Sequence, residues 1–261
     1  MKQINRDNKI DVLQSAAYQF PYHYIPQAAG FPNFSRNWAF SASYIAALNL
    51  FSKWMLLLAS DKSNFTHMDF GCGDGGFVNT VRANKDFRNL DFKGIDFDEN
   101  AVRWAHLFSN GEAEFIVGDI ADLPSKQYDS GSLIEVYEHI PPSECARFLS
   151  SIAASLKDGA GMFVTVPSTQ KPTSAKHYRH FDFDTLKSEF GVQFEIEEIF
   201  GFEKKSFLVK LMRRLTVNKH WYLETPPTNR LMVRKLEAKH GDVRGCGRIG
   251  LILRKREAST Q

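Results

Sequence analysis

Apolar positions between residues 38 and 58 recur at helical spacing, with Tyr44, Leu48, Phe51 and Met55 on one face, and predict a helix ahead of the first strand. From there short apolar runs alternate with amphipathic ones. The runs predict strands over 66–70, 91–98, 115–120, 193–200 and 248–254, and helices over 77–83, 99–105, 146–156 and 183–190. Asp182 or Asp184 is placed to cap the last of these helices. Residues 1–35 break the rhythm: Pro21, Pro26, Gly30 and Pro32 among many aromatics preclude long regular elements and predict an irregular cap with one short helix. Past residue 202 a stripe of Phe207, Leu208, Leu211, Met212 and Leu215 is flanked by Lys204, Lys205, Lys210, Arg213 and Arg214, and a second helix is predicted over 228–239.

The chemistry concentrates where the first strand ends. Asp69-Phe70-Gly71-Cys72-Gly73-Asp74-Gly75-Gly76 reads as a strand end, a glycine-rich turn and a helix start. Glycines there let the backbone approach a ligand closely. Asp69 and Asp74 put negative charge where a phosphate-binding loop wants donors and cations, which suits a ligand with a cationic near end. Gly71, Gly73 and Gly76 also fit the G-x-G-x-x-G of dinucleotide-binding folds, so glycine spacing alone leaves a nicotinamide-dependent oxidoreductase open. Asp96 stands where a ribose-binding carboxylate belongs in either case.

The segments farther along separate the two. The glycine stretch resembles motif I, Asp-x-Gly-x-Gly-x-Gly, of class I S-adenosylmethionine-dependent methyltransferases. Phe115-Ile116-Val117-Gly118-Asp119-Ile120 is similar to the segment whose Asp accepts from the adenine amino group. Tyr128-Asp129 through Glu135-Val136-Tyr137-Glu138-His139 resembles motif IV of the ubiquinone-type O-methyltransferases. Leu156-Lys157-Asp158-Gly159-Ala160-Gly161 with Thr165-Val166-Pro167 resembles the turn and fifth strand of that family. The resemblance covers about residues 63–200, in the family's order.

It implies a Rossmann-like α/β fold with a mostly parallel seven-stranded sheet, strand seven antiparallel, under an N-terminal cap and a helical insert before strand seven. The implied cofactor is S-adenosylmethionine, held by Asp69, Gly71, Gly73, Asp74, Asp96, Phe97, Asp119, Ile120 and Glu135. Arg36 is placed to reach the ligand carboxylate. His139 is the implied acid/base of the acceptor site, its ordinary pKa near 6.5 suiting proton removal near neutrality. His180 and Arg179, in a His-x-Arg-x-Phe segment after the fifth strand, are candidate acceptor contacts, and His180 is taken with His139 as catalytic. Glu135, Glu138 and His139 have adequate chemistry for a divalent cation, and some relatives use such a segment so; no metal is assigned here. The absence of an Asn-Pro-Pro-Tyr segment, typical of amino-group methyltransferases, favours an oxygen acceptor.

Charge and cysteine usage refine this. The chain has 261 residues and a net charge of +3, but residues 203–261 carry 15 Lys and Arg against 5 Asp and Glu, a net +10 on an acidic body. A domain division follows: 1–62 cap and first helix, 63–202 cofactor-binding core, 203–261 basic insert plus last strand. The basic tail fits an anionic partner, a lid, a homodimer contact or a peripheral membrane foot. It is more apolar than an RNA-binding arm, which argues against nucleic acid. Cys72, Cys145 and Cys246 are odd in number and scattered, against a disulfide framework or a zinc cluster and in favour of a reducing cytoplasm. The apolar run 44–59 is broken by Asn49, Ser52 and Lys53, and the first residues lead into no signal-peptide core. The expected function is methyl transfer to a hydroxyl of a small molecule or glycan. An RNA 2'-O-methyltransferase and a non-catalytic S-adenosylmethionine-binding protein are the alternatives.

Overall fold

The computed structural model describes residues 9–19, 21, 42–60, 62, 64–216, 226–237 and 239–257. Arg36 lies outside the described residues. The elements are α1 (Lys9–Ala17), α2 (Ala42–Ala59), β1 (Thr66–Phe70), α3 (Gly76–Arg82), β2 (Asp91–Asp96), α4 (Glu99–Ser109), β3 (Glu114–Val117), β4 (Tyr128–Ile134), α5 (Cys145–Ser155), β5 (Leu156–Pro167), α6 (Phe183–Phe190), β6 (Phe194–Lys204), α7 (Phe207–Thr216), α8 (Pro226–Leu236), β7 (Lys239–His240) and β8 (Cys246–Lys255).

The strands form one sheet in the order β3-β2-β1-β4-β5-β8-β6-β7. Neighbours from β3 to β5 are parallel. The last long strand, β8, runs antiparallel between β5 and β6. The mostly parallel Rossmann-like sheet is therefore as expected, but it has eight strands rather than seven. The extra one is β7, which adds two residues to the edge through Phe200↔His240 and Gly201↔Lys239. Lys239 and His240 are both exposed, so no apolar pattern marks them in the sequence.

Helices cover both faces, as a parallel sheet requires. On one face α2, α3 and α4 bury Phe51, Trp54, Phe77 and Val102 against Phe92 and Phe163. On the other, α5 and α6 bury Leu149, Ile152, Leu186 and Phe190 against Met68, Phe70, Met162 and Val164. Strand alternation sets this up: Met68 and Phe70 pack on the α5 side, while His67, one residue before Met68, meets Phe51 at 5.2 Å on the other. α4 begins where the Asp98 carboxylate accepts from Asn100 N and Ala101 N, and α6 where Asp182 accepts from Thr185 N. α8 packs against α2. All three cysteines are free and buried.

Candidate active site

β1, β2, β3, β4 and β5 all end at one cavity of about 850 Å³, lined by Asp69, Asp96, Asp119, Glu135 and Pro167. This is the edge of an open α/β sheet where ligands settle. The turn after β1 forms its floor. Gly71 and Gly73 have φ of 77° and 54°, and a Cβ at either would collide, with Val136 at 2.6 Å and with Tyr18 Oη at 2.5 Å respectively. Both positions therefore demand glycine. The Tyr18 contact also shows where the N-terminal cap sits: over the turn, tied down by Trp104 Nε1 donating to Tyr18 O at 3.0 Å.

Two buried carboxyls line the end of the cavity at the glycine turn. Asp96 accepts from Gly73 N and from Asp98 N, each at 2.9 Å. Burial pushes its pKa up to about 6 against those hydrogen bonds. Asp69 is raised to about 7, chiefly by burial, with Asp96 adding repulsion and Ser132 opposing. Ser132 donates to Asp69 Oδ1 at 2.5 Å and in turn meets His67 Nε2 at 2.9 Å, while His67 Nδ1 meets Ser130 Oγ at 2.7 Å. Ser132 spends its proton on Asp69, so His67 carries its proton on Nε2 and accepts from Ser130 at Nδ1. Burial holds the His67 pKa near 3, so the ring stays neutral. The strand pairing His67↔Ser130 and Asp69↔Ser132 aligns this chain.

Glu135 follows β4 with a φ of 54°, a left-handed angle that costs about 1–2 kcal/mol for a residue with a side chain. Its position is fixed by Glu135 N donating to Thr165 O at 2.9 Å and by Arg248 Nε donating to Glu135 Oε2 at 2.8 Å. Arg248 also pairs with Glu203 at 2.5 Å, and Lys171 reaches the same Glu203 oxygen at 2.9 Å. Burial works against the Arg248 charge, and Glu135 and Glu203 more than offset it. Glu135 Oε1 is buried without a hydrogen bond, and Glu135 lines the same cavity as Asp69.

Histidines line the far end. His139 Nδ1 faces Lys176 O at 2.8 Å, and His180 Nδ1 faces Lys171 O at 3.0 Å. A carbonyl only accepts, so both Nδ1 atoms are protonated. His180 Nε2 then has a lone pair, and it takes the proton of His177 Nδ1 at 2.8 Å. His139 and His177 are thereby each left with a bare Nε2, while both nitrogens of His180 are engaged. Burial lowers the His139 pKa to about 4; burial and the neighbouring His139 and His180 lower that of His177 to about 3. Glu138 sits between, buried, its Oε2 without a partner. Burial, then Glu135, raises its pKa well above the usual carboxylate range. One ligand atom from each of Glu138, His139 and His177 lies within 4.8 Å of the others. Two imidazole lone pairs and an orphaned buried carboxylate oxygen are a donor set that fits a divalent transition-metal ion.

The structure thus brings together Asp69, Gly71, Gly73, Asp96, Phe97, Asp119, Ile120, Glu135, His139 and His180 around one cavity. Asp74 does not line it: the side chain is buried beneath the turn, its Oδ1 accepting from Gly76 N at 3.4 Å. Asp119 lies on the exposed rim, where its Oδ1 accepts from Ala121 N at 2.9 Å. Arg179 is also outside the cavity. It clamps Glu189 with bonds of 2.6 and 2.8 Å and lies over the Phe181 ring at 4.9 Å. Sequence reasoning missed His177, Lys171, Arg248 and Tyr18. His177 had a signal, since it heads the His-x-Arg-x-Phe segment; the other three reach the cavity from distant elements.

A family model described as a methyltransferase domain matches residues 42–201. No curated protein matches the chain. Among solved structures, an S-adenosylmethionine-dependent methyltransferase from Archaeoglobus fulgidus is similar with a TM-score of 0.53 and 18% identity, over 80% of this chain and 94% of that one. The [4+2]-cyclase SpnF is similar with a TM-score of 0.53 and 18% identity, over 79% and 82% of the two chains. A sarcosine dimethylglycine methyltransferase homologue from Galdieria sulphuraria has a TM-score of 0.57 and 12% identity, over 82% and 86%. These likenesses speak for the fold. With the family match spanning more than half of the chain, and acids rather than cations lining the glycine turn, the protein belongs to the class I methyltransferase-domain family, with S-adenosylmethionine as its cofactor.

Proposed function

We propose that the chain transfers the methyl group of S-adenosylmethionine to a hydroxyl of a small molecule or glycan. The observation that carries this reading is the pair of bare Nε2 atoms on His139 and His177 at the end of the cavity away from the glycine turn. The ammonium and sulfonium of the cofactor suit the acidic end, where Asp69 and Glu135 Oε1 are, and the ribose diol suits Asp96. The methyl carbon is already activated, so the protein acts mainly by positioning the reactants and excluding water, worth about 7–11 kcal/mol. The acceptor oxygen becomes strongly acidic as it takes the methyl group. A neutral imidazole of low pKa is therefore a sufficient base, and His180 acts on His177 by fixing its tautomer.

The Glu138, His139 and His177 cluster favours a second reading, in which these residues hold a divalent cation that binds the acceptor hydroxyl and lowers its pKa. The burial-shifted protonation of Glu138 is what a bound cation would reverse. The [4+2]-cyclase SpnF shares the fold, so the reaction is assigned by measured turnover and not by the fold.

The test is incubation of purified protein with isotope-labelled S-adenosylmethionine and fractionated cell extract, followed by mass spectrometry of products. A labelled methyl ether supports the reading; a labelled amine, or no transfer despite tight cofactor binding, rejects it. Chelation followed by Mn²⁺ or Zn²⁺ separates the two modes. Activity unchanged by chelator leaves the histidines as bases, and activity lost and restored makes them ligands. Calorimetry against NAD(P) should give no heat.

A further inference from the structure

We propose that α7 is a docking foot for an anionic lipid surface. In most helices of a globular protein the apolar arc faces the body. In α7 it faces out. Phe207, Leu208, Leu211 and Leu215, at i, i+1, i+4 and i+8, share one side and are 82%, 47%, 41% and 59% exposed. Val209, on the far side of the helix, is buried.

The partner's chemistry follows from the charge around that arc. Lys204, Lys205, Lys210 and Arg214 are all exposed, and residues 204–216 contain no acid. Lys204 is paired with Asp242 at 2.8 Å, but Lys205 and Lys210 form no ion pair with a described residue. Pairing the face with a second copy of itself would bring lysines against lysines. An acidic planar surface with an apolar interior answers both halves of the pattern, as in helices that lie in a lipid interface. None of the described helices is long and apolar enough to cross a membrane, so the contact is peripheral.

A second feature points the same way. At the root of α7 a hollow of about 610 Å³ is lined by Lys171, Lys204, Lys205, Phe207 and Lys210. Glu203 also lines it and pairs with Lys171, and Lys204 pairs with Asp242, so the hollow offers Lys205 and Lys210 to a phosphate headgroup beside an apolar anchor. Lys171 also lines the catalytic cavity, so the hollow and the cavity share a wall. A chain docked through α7 holds its cavity close to the headgroup layer.

Co-sedimentation of the full-length chain with vesicles tests this. Vesicles of phosphatidylcholine alone are compared with vesicles containing equal parts phosphatidylglycerol, at low and high salt. Binding is expected to the anionic vesicles only, and to fall as salt rises. The combined change Lys205→Gln, Lys210→Gln and Arg214→Gln should weaken it on the order of 100-fold, and Phe207→Ser with Leu211→Ser by at least about tenfold. S-adenosylhomocysteine affinity, measured by calorimetry, should be unchanged in both variants and reports that they are folded. Failure to sediment at low salt overturns the proposal, as does equal binding to neutral vesicles. So does a dimer, seen by light scattering, that Leu211→Ser dissociates. None of these outcomes depends on whether the acceptor is a hydroxyl.

Discussion

Asp69 and Asp96 each hold a proton more tightly than an ordinary carboxyl, at about 7 and about 6, because they are buried. A cationic cofactor must displace those protons. Affinity for S-adenosylmethionine should therefore level off above pH 7, fall by about tenfold per pH unit between 7 and 6 and by up to about 100-fold per unit below 6, and titration in buffers of different ionisation enthalpy should show proton release on binding. The cofactor-free fold should do the opposite. Asp69 is raised above its unfolded value of 3.8, so the folded chain holds the extra proton and its stability declines as pH rises from about 4 to about 7. Asp96→Ala should weaken cofactor binding by about 2–4 kcal/mol, since it removes charged acceptors from the ribose diol; unchanged affinity in calorimetry would refute the assignment. His139→Ala or His177→Ala should lower turnover by about 10²–10⁴-fold with cofactor affinity nearly intact. With pKa values near 4 and 3, neither ring titrates around neutrality, so kcat should show no inflection near pH 6.5. Much of this residue chemistry is legible in the sequence, because Asp69, Asp96 and His139 sit at fixed offsets from strand ends. The proton positions on His67 and His177 are not, since they depend on carbonyls and hydroxyls supplied by other strands.

The loop between β5 and α6 carries His177 and His180, and its rigidity comes from what stands on either side. Arg179 grips Glu189 of α6 in a two-pronged pair, and Tyr137 Oη donates to the same carboxylate at 2.6 Å. Both charged side chains are about three-quarters shielded from solvent. Arg179→Ala should cost about 1–3 kcal/mol in urea unfolding, since it leaves Glu189 with one partner fewer. It should lower turnover by disordering the histidines, without altering cofactor affinity. Asp182→Ala, which removes the α6 cap, should cost about 1 kcal/mol in the same assay. At this scale the apolar periodicity located α2 to α6, β1 to β3, β6 and β8 to within a few residues, whereas β4 and β5 were marked by the family resemblance. It missed β7, where two polar residues pair by backbone alone. The second insert helix is predicted over 228–239 and runs Pro226–Leu236: its start follows the proline pair, whose fixed φ suits a first helical turn.

The whole molecule is built around a cavity with two chemistries, acids at the glycine-turn end and imidazoles at the other, with Arg248 and Lys171 bracing the wall through Glu203. The acidic end was readable because its carboxylates sit at successive strand ends, Asp69 in β1, Asp96 in β2 and Glu135 just past β4. The brace was not, because Arg248 and Glu135 lie 113 residues apart in the chain. A chain ending before Cys246 should fail to reach a cooperative fold, seen as dye-binding apolar surface and loss of near-UV circular dichroism. The insertion of β8 between β5 and β6 has a consequence for biosynthesis. On the ribosome, about forty residues separate the end of β6 from the start of β8, which is on the order of 2–8 s of elongation. Throughout that interval the nascent chain carries two long, unpaired, apolar strand edges. Its yield in cells should therefore be limited by how well chaperones shield those edges before the last strand emerges.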